Sequence, residues 1–222
     1  IMEEAVSIKN NIDQIRSELP EGVRLVAVTK YHSVEETEEV IRCGVDTIAE
    51  NKVQDLLRKQ EIIKTPVTWH FIGHLQQNKV RQLVGRAALI ESVDSERILK
   101  KIDSESAKAG IVSDILIEYN LTGEESKTGF TEDQTQIWIN DLPELKNVRV
   151  LGIMGMGPNT EDTDQIRKVF RQLSTIYDKI KHEYRYDNLE MRYLSMGMSG
   201  DYPIAVEEGA NLVRIGSKIF SE

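Results

Sequence analysis

Short apolar runs alternate with amphipathic stretches from one end of the chain to the other. Each run is a few residues long and rich in β-branched residues, which is typical of parallel strands buried on both faces. The stretches between the runs place apolar residues at helical spacing. We therefore expect eight strands, over residues 25–28, 47–49, 68–72, 87–90, 114–118, 148–153, 190–194 and 212–215.

Capping signals bound the predicted helices. Ser33 and Glu36 form a capping-box pattern, and Gly44 is expected to end that helix because glycine readily adopts the left-handed conformation found there. Gly110 ends another predicted helix in the same way. The helices expected on these grounds cover residues 33–44, 95–110, 162–184 and 201–209, and an extra helix over about residues 3–19 precedes the first strand.

Two α/β architectures fit strands that alternate with helices in this way: a (β/α)₈ barrel and a doubly wound open sheet. An open sheet of the nucleotide-binding kind carries a glycine-rich turn after its first strand. Here the first strand is followed by Thr29-Lys30-Tyr31-His32, without glycine. We therefore predict a TIM barrel with an extra N-terminal helix, in a single domain over residues 1–222.

Charge and composition exclude several classes of partner. The 222 residues include 28 basic and 37 acidic side chains, for a net charge of −9, whereas broad binding to nucleic acid or anionic lipid requires a basic surface. No apolar run approaches the roughly 20 residues that span a membrane, and a single cysteine, Cys43, precludes a disulfide framework. The first residues are acidic and do not resemble a signal peptide. We expect a cytoplasmic protein that binds neither nucleic acid nor membrane.

The loops after the seventh and eighth predicted strands have the composition of an anion site. In TIM barrels these two loops often hold phosphate. The first reads Ser195-Met196-Gly197-Met198-Ser199-Gly200 and the second Gly216-Ser217-Lys218. Glycines let backbone N–H groups approach an anion, and hydroxyls add further donors. Two ordinary Gly/Ser turns remain the alternative.

Two basic side chains stand out at strand ends. Lys30 closes the first apolar run, and burial there favours the neutral amine that attacks carbonyls; the alternative is a rim lysine that extends into solvent. Arg214 interrupts an apolar strand, and alternation places it on one face with Leu212. Because a guanidinium only donates hydrogen bonds, Arg214 needs an acceptor, either Glu118 or Glu50 in a salt bridge or an atom of a ligand.

An amine, an arginine and a phosphate site together suit a ligand that has an aldehyde, a ring nitrogen and a phosphate. Pyridoxal 5′-phosphate (PLP) has all three. A Schiff-base aldolase that binds a sugar phosphate is an alternative occupant. His70 and His74 lie across a strand and its loop, a spacing that does not favour a metal pair, and we expect no metal.

Five segments, in order along almost the whole chain, resemble the YggS-type pyridoxal-phosphate homeostasis proteins. The longest, Trp69-His70-Phe71-Ile72-Gly73-His74-Leu75-Gln76-Gln77-Asn78-Lys79, is the most specific, together with Leu194-Ser195-Met196-Gly197-Met198-Ser199. The others are residues 26–30, 50–54 and 213–217, and residues 120–129 resemble the family's loop after the fifth strand. The resemblance implies the barrel fold of the alanine racemase N-terminal domain.

The resemblance also implies roles for individual residues. Lys30 matches the lysine that forms the aldimine with PLP, and Arg214 matches the arginine that faces the pyridine nitrogen. Asn51 matches a residue near the ring hydroxyl. The phosphate site matches Ser199, Gly216 and Ser217, with Ser195 nearby, and weaker candidates for lining the ring are Met154 and His70.

The resemblance implies a carrier or regulator of PLP that catalyses no turnover of its own. We expect this protein to be a monomer, and PLP-dependent apoenzymes are candidate recipients of its cofactor. The alternative on the same cofactor is a racemase or decarboxylase. In alanine racemase an acid/base tyrosine comes from the second domain of a dimer partner, and we expect no such domain within this sequence. We therefore assign no catalytic residue.

Overall fold

Eight parallel strands close into a barrel in chain order, as predicted, in the computed structural model, which describes residues 7–124 and 128–222. β8 pairs with β1, with Leu212 opposite Arg24, and so closes the sheet. The strands are β1 (Arg24–Val28), β2 (Thr47–Glu50), β3 (Thr68–Phe71), β4 (Leu89–Val93), β5 (Ser113–Tyr119), β6 (Val148–Gly155), β7 (Leu189–Ser195) and β8 (Leu212–Ile215).

Helices surround the barrel and connect successive strands. Those of the described residues are α1 (Ile8–Glu18), α2 (Val34–Arg42), α3 (Val53–Ile62), α4 (Gln77–Leu83), α5 (Glu96–Ala109), α6 (Thr135–Asp141), α7 (Thr163–Glu183), α8 (Tyr202–Glu207) and α9 (Ser217–Phe220). Short 3₁₀ turns flank α6 at Glu132–Gln134 and Leu142–Glu144. α1 is the expected extra helix, although residues 1–6 lie outside the described ranges, as do residues 125–127 of the loop after β5.

The predicted caps form with one exception. Both hydrogen bonds of the Ser33–Glu36 capping box are present, and Gly110 adopts the left-handed conformation with φ 70°. Asp201 occupies the N-cap of α8 but makes no capping bond there. Its carboxylate accepts instead from the backbone N–H of Met198, 2.8 Å away, and so holds the loop after β7.

The core has two layers. The larger layer lies between strands and helices, and Val213 and Ile215 belong to it. A smaller apolar cluster fills the inside of the barrel: Val26, Val28, Ala49, Leu89, Leu116, Leu151, Met154 and Leu212. Alternation along β8 thus places Leu212 inside the barrel, on the face it shares with Arg214, as expected.

A buried ion pair between the barrel and the surrounding helices stabilises the end of β1. Lys59 of α3 is 1% exposed and Glu50 of β2 is fully buried, with 3.1 Å between Nζ and Oε2. The same Nζ donates to the carbonyl oxygen of Thr29, 2.8 Å away, and the Thr29 hydroxyl donates to Glu50. Glu50 therefore faces the helices and is not the partner of Arg214, which corrects one of the two salt bridges considered above.

Candidate functional site

A cavity of about 500 Å³ opens at the carboxyl ends of the strands. It is the end of the barrel at which TIM-barrel sites are built. Of the nine residues that the sequence predicts for the site, six line this cavity: Lys30, Asn51, Ser199, Arg214, Gly216 and Ser217. Segments far apart in the sequence thus meet around one space.

Lys30 follows β1 at the wall of the cavity and is half-buried. The next residue, Tyr31, has φ 68° and is 73% exposed, a left-handed backbone that is uncommon for a residue with a side chain. This turn ends the strand and directs the chain away over the rim. Lys30 is therefore left as the first residue beyond β1 that lines the cavity.

Asn51 offers an open acceptor to the cavity. Its Nδ2 lies 3.4 Å from the hydroxyl of Tyr31, but its buried Oδ1 has no hydrogen-bond partner. A buried acceptor without a partner is costly, and a ligand hydroxyl in the cavity would satisfy it. Gly73 permits the close approach on this side, because a Cβ there would lie 2.0 Å from the carbonyl oxygen of Asn51.

Two loops form the anion cradle. The Ser199 hydroxyl accepts from the backbone N–H of Lys218, 3.1 Å away, so its own proton is available to an anion. That hydrogen bond also ties the loop after β7 to the start of α9. Gly216 lies close to β1, where a Cβ would come within 3.1 Å of the carbonyl oxygen of Val28. A Cβ on Gly200 would meet nothing within 4 Å, which leaves room beside Ser199.

Arg214 projects from β8 inside the barrel and is 3% exposed. Its Nη1 donates to the Ser195 hydroxyl at 2.6 Å, and its Nη2 donates to the carbonyl oxygen of Gly155 at 3.0 Å. A guanidinium has five N–H donors, so others remain for a ligand. Burial lowers the pKa of Arg214, while the charges of Glu91, Glu118 and Asp201 act to raise it.

Glu91, beneath the cavity, is a buried polar residue that the sequence analysis missed. It lies on β4, is fully buried, and accepts from the Ser195 hydroxyl. Its other oxygen lies 2.8 Å from Nδ1 of His70. Burial acts to raise the pKa of Glu91, but His70, Arg214 and Ser195 together lower it below its usual value.

Three predicted residues lie beneath the cavity and do not line it. Met154 is fully buried in the apolar cluster inside the barrel, because one extra residue in β6 relative to β5, between Val150 and Ile153, brings Met154 onto the same face as Leu151. His70 is 4% exposed and turned to Glu91, and Ser195 is fully buried behind Arg214. Met154 and His70 are therefore not part of the cavity wall, and their contact with the ring stays a prediction.

Glu118, the other partner considered for Arg214, lies inside the barrel without a direct bond to it among the described contacts. Burial raises the pKa of Glu118 to about 8, and Asp94 adds to this effect while Arg214 opposes it. Glu91, which Arg214 reaches through the Ser195 hydroxyl, is therefore the carboxylate joined to Arg214 by hydrogen bonds.

Comparisons with known proteins establish the family. Residues 5–222 match the family described as "Alanine racemase, N-terminal domain". A protein of Aquifex aeolicus named "Pyridoxal phosphate homeostasis protein" is 40% identical over 200 residues, which are 90% of this chain and 86% of that protein. The chain belongs to the pyridoxal phosphate homeostasis protein family.

Solved structures agree with membership of the pyridoxal phosphate homeostasis family. PipY of Synechococcus elongatus PCC7942 is 30% identical and has been solved without PLP (TM-score 0.91) and with PLP bound (TM-score 0.89). Each alignment covers 97% of this chain and 100% of PipY. The alanine racemase of Clostridium difficile 630 shares the fold, with a TM-score of 0.75 at 13% identity, over 97% of this chain and 56% of that enzyme. The resemblance expected from the motifs is confirmed.

Within residues 7–124 and 128–222, no group of three or more His, Cys, Asp or Glu side chains is placed to hold a metal ion. None of the helices in those ranges combines the length and the apolar character needed to cross a membrane.

Proposed function

We propose that this protein binds PLP in the cavity at the carboxyl end of the barrel and acts in PLP homeostasis. The observation that carries the proposal is the meeting of Lys30, Arg214 and the two Gly/Ser loops around one cavity. The family supports it, since relatives are named for PLP homeostasis and PipY has been solved with PLP bound.

The residues present fit the chemical groups of PLP. Ser199, Gly216 and Ser217 would hold the phosphate, and Arg214 would donate to the ring nitrogen. The open Oδ1 of Asn51 suits the ring hydroxyl. When bound, the cofactor supplies an aldehyde, which the amine of Lys30 would hold through a C=N bond formed with loss of one water.

The fit is tested by titrating ligand-free protein with PLP and following the absorbance of the bound chromophore. We expect saturation at one PLP per chain, with Lys30→Ala still binding but without the spectral change of the C=N bond. Retained binding follows because the phosphate loops and Arg214 do not depend on the lysine. Failure of the unchanged protein to bind PLP would refute the proposed function.

Removing the cradle hydroxyls should weaken PLP binding. Ser199→Ala and Ser217→Ala each remove a donor to a charged group, which costs about 1–2 kcal/mol of binding free energy. Isothermal titration calorimetry of the single and double variants measures this loss. Ser221→Ala, at an exposed position outside the cavity, is the matched control. A double variant with unchanged affinity would show that the phosphate binds elsewhere.

We propose further that the protein binds and releases PLP without turning over amino acids. The names of the relatives support this role. Because Arg214 can only donate, the ring nitrogen it meets stays unprotonated, and such a ring is a weaker electron sink. An amino-acid racemase is the second candidate, because the fold and the family description are those of alanine racemase.

An assay of turnover separates these two functions. The loaded protein is incubated with both enantiomers of alanine, serine and the dibasic amino acids, and chirality and keto acids are followed. We expect rates far below the roughly 1–10³ s⁻¹ of typical enzymes. A rate within that range for any of these amino acids would establish the racemase or a related activity.

We also propose that the protein acts in the cytoplasm as a monomer and that PLP-dependent apoenzymes receive its cofactor. The single, half-buried Cys43 suits a reducing compartment. Light scattering after size-exclusion chromatography measures the mass of the protein in solution and so tests whether it is a monomer. Mixing the PLP-loaded protein with a PLP-dependent enzyme stripped of its cofactor, and following the return of that enzyme's activity, tests the transfer of PLP. A stable dimer, or reactivation no faster than with free PLP at the same concentration, would contradict these proposals.

A further inference from the structure

A chain of buried hydrogen bonds runs beneath the cavity from Arg214 to His70. Nη1 of Arg214 donates to the Ser195 hydroxyl at 2.6 Å, and that hydroxyl contacts one oxygen of Glu91. The other oxygen of Glu91 lies 2.8 Å from Nδ1 of His70. These residues come from β8, β7, β4 and β3, and none is more than 4% exposed.

The direction of each hydrogen bond in this chain follows from chemistry. Arginine can only donate, so the Ser195 oxygen must accept from it. The single proton of Ser195 is then directed to Glu91, which must accept it. Glu91 is thus the terminal acceptor that holds the hydroxyl in the orientation in which it accepts from Arg214. A buried acceptor of this kind fixes a guanidinium more firmly than water can, because the site is closed to solvent.

We propose that Glu91 is a positioning residue for Arg214, acting through Ser195 to aim the guanidinium at the acceptor atom of the ligand ring. The inference rests on the proposed function, since it takes that atom to be the pyridine nitrogen of PLP. Glu91 does not line the cavity, so its effect is on where the free N–H groups of Arg214 point.

The orientation of the Arg214 guanidinium determines how well the site distinguishes a ring nitrogen from a ring carbon. A well-aimed donor distinguishes PLP from its 1-deaza analogue, the same aldehyde phosphate with a C–H in place of the ring nitrogen. The ratio of the two dissociation constants isolates the hydrogen bond to the nitrogen, because both ligands use Lys30 and the phosphate cradle alike. If Glu91 had only a structural role, replacing it would weaken the binding of both ligands equally and leave the ratio of the dissociation constants unchanged.

The test measures both dissociation constants for the unchanged protein and for a set of variants. We expect the unchanged protein to prefer PLP by about tenfold or more, the range of a hydrogen bond to a charged donor. Glu91→Leu and Ser195→Ala should reduce this preference to less than about threefold. Glu91→Gln should keep the preference for PLP, because the amide can accept from Ser195 and donate to Nδ1 of His70.

Ser92→Ala is the matched control. Ser92 is the neighbour of Glu91, is fully buried, and its hydroxyl makes no hydrogen bond, so this variant should keep the preference. Should Glu91→Leu not fold, Ser195→Ala tests the same link without removing a charge.

Three results would overturn the inference. They are an unchanged ratio in both Glu91→Leu and Ser195→Ala, a loss of the ratio in Glu91→Gln as large as in Glu91→Leu, and equal binding of both ligands by the unchanged protein. In each of these cases PLP still binds, and the proposed function stands. Absence of PLP binding to the unchanged protein would overturn both.

Discussion

Replacing Lys59 by methionine is expected to lower the free energy of unfolding by about 3–5 kcal/mol, the usual cost of breaking a buried ion pair on one side. The substitution leaves the fully buried Glu50 carboxylate without its cation, and one of its oxygens already has no partner. It also removes the donor to the Thr29 carbonyl. Urea denaturation of the two proteins measures the difference.

A second substitution tests whether the loss arises from the stranded charge. In the double variant Lys59→Met/Glu50→Leu the carboxylate is gone as well, and most of the stability should return. Lys9→Met, which breaks the exposed pair with Asp13 on α1, should cause only a small loss of stability, because water and salt screen that pair. If Lys59→Met lost as little stability as Lys9→Met, or if the double variant recovered none, the Lys59–Glu50 ion pair would not be what stabilises the end of β1.

Saturating PLP is expected to raise the melting temperature of the stripped protein by about 5–11 °C. Binding only to the folded state contributes about 2.7 kcal/mol at a free ligand concentration ~100 times the dissociation constant. For a domain of this size each kcal/mol corresponds to roughly 2–4 °C. The ligand would join Lys30, near the start of the chain, to the loops after β7 and β8. Scanning calorimetry with and without PLP measures the shift.

Arg214→Glu should abolish nearly all of this shift. It removes the donor to the ring nitrogen and places a second carboxylate beside the buried Glu91 and near the phosphate loops, where like charges repel. Arg185→Glu makes the same change of charge at an exposed position between α7 and β7, at the opposite end of the barrel, and should leave the shift intact. Equal melting temperatures with and without PLP in the unchanged protein would place the ligand outside the folded core.

Local patterns were sufficient to predict the architecture. Apolar runs predicted all eight strands, and Gly110 and the Ser33–Glu36 box mark helix ends where expected. These features depend on neighbours in the sequence, so they can be read without a structure. The absence of glycine after the first strand was enough to prefer the barrel, which the closed sheet confirms.

The buried polar groups could not be predicted in this way. The fourth strand was expected to end at Ile90, because the apolar run ends there. It continues to Val93, since His70 and Ser195 supply the partners that Glu91 requires. Lys59 likewise lies in a helix that gives no sign of its burial. Such partners come from distant segments, and the sequence pattern around each residue does not reveal them.

The candidate site was predicted best where a residue follows a strand. Lys30, Ser199 and Gly216 all follow strand ends, which in a barrel meet at one edge. Met154 and His70 lie within strands, where register decides the direction of the side chain, and a bulge such as the one in β6 cannot be seen in the sequence.

The most direct test of the central claim is to find the lysine that bonds to PLP. The loaded protein is reduced with borohydride, which converts the C=N bond to a stable C–N bond, then digested and mapped by mass spectrometry. The account predicts the pyridoxyl group on Lys30, and its loss in Lys30→Ala. A pyridoxyl group found only on Lys52, Lys79 or Lys218 would contradict it.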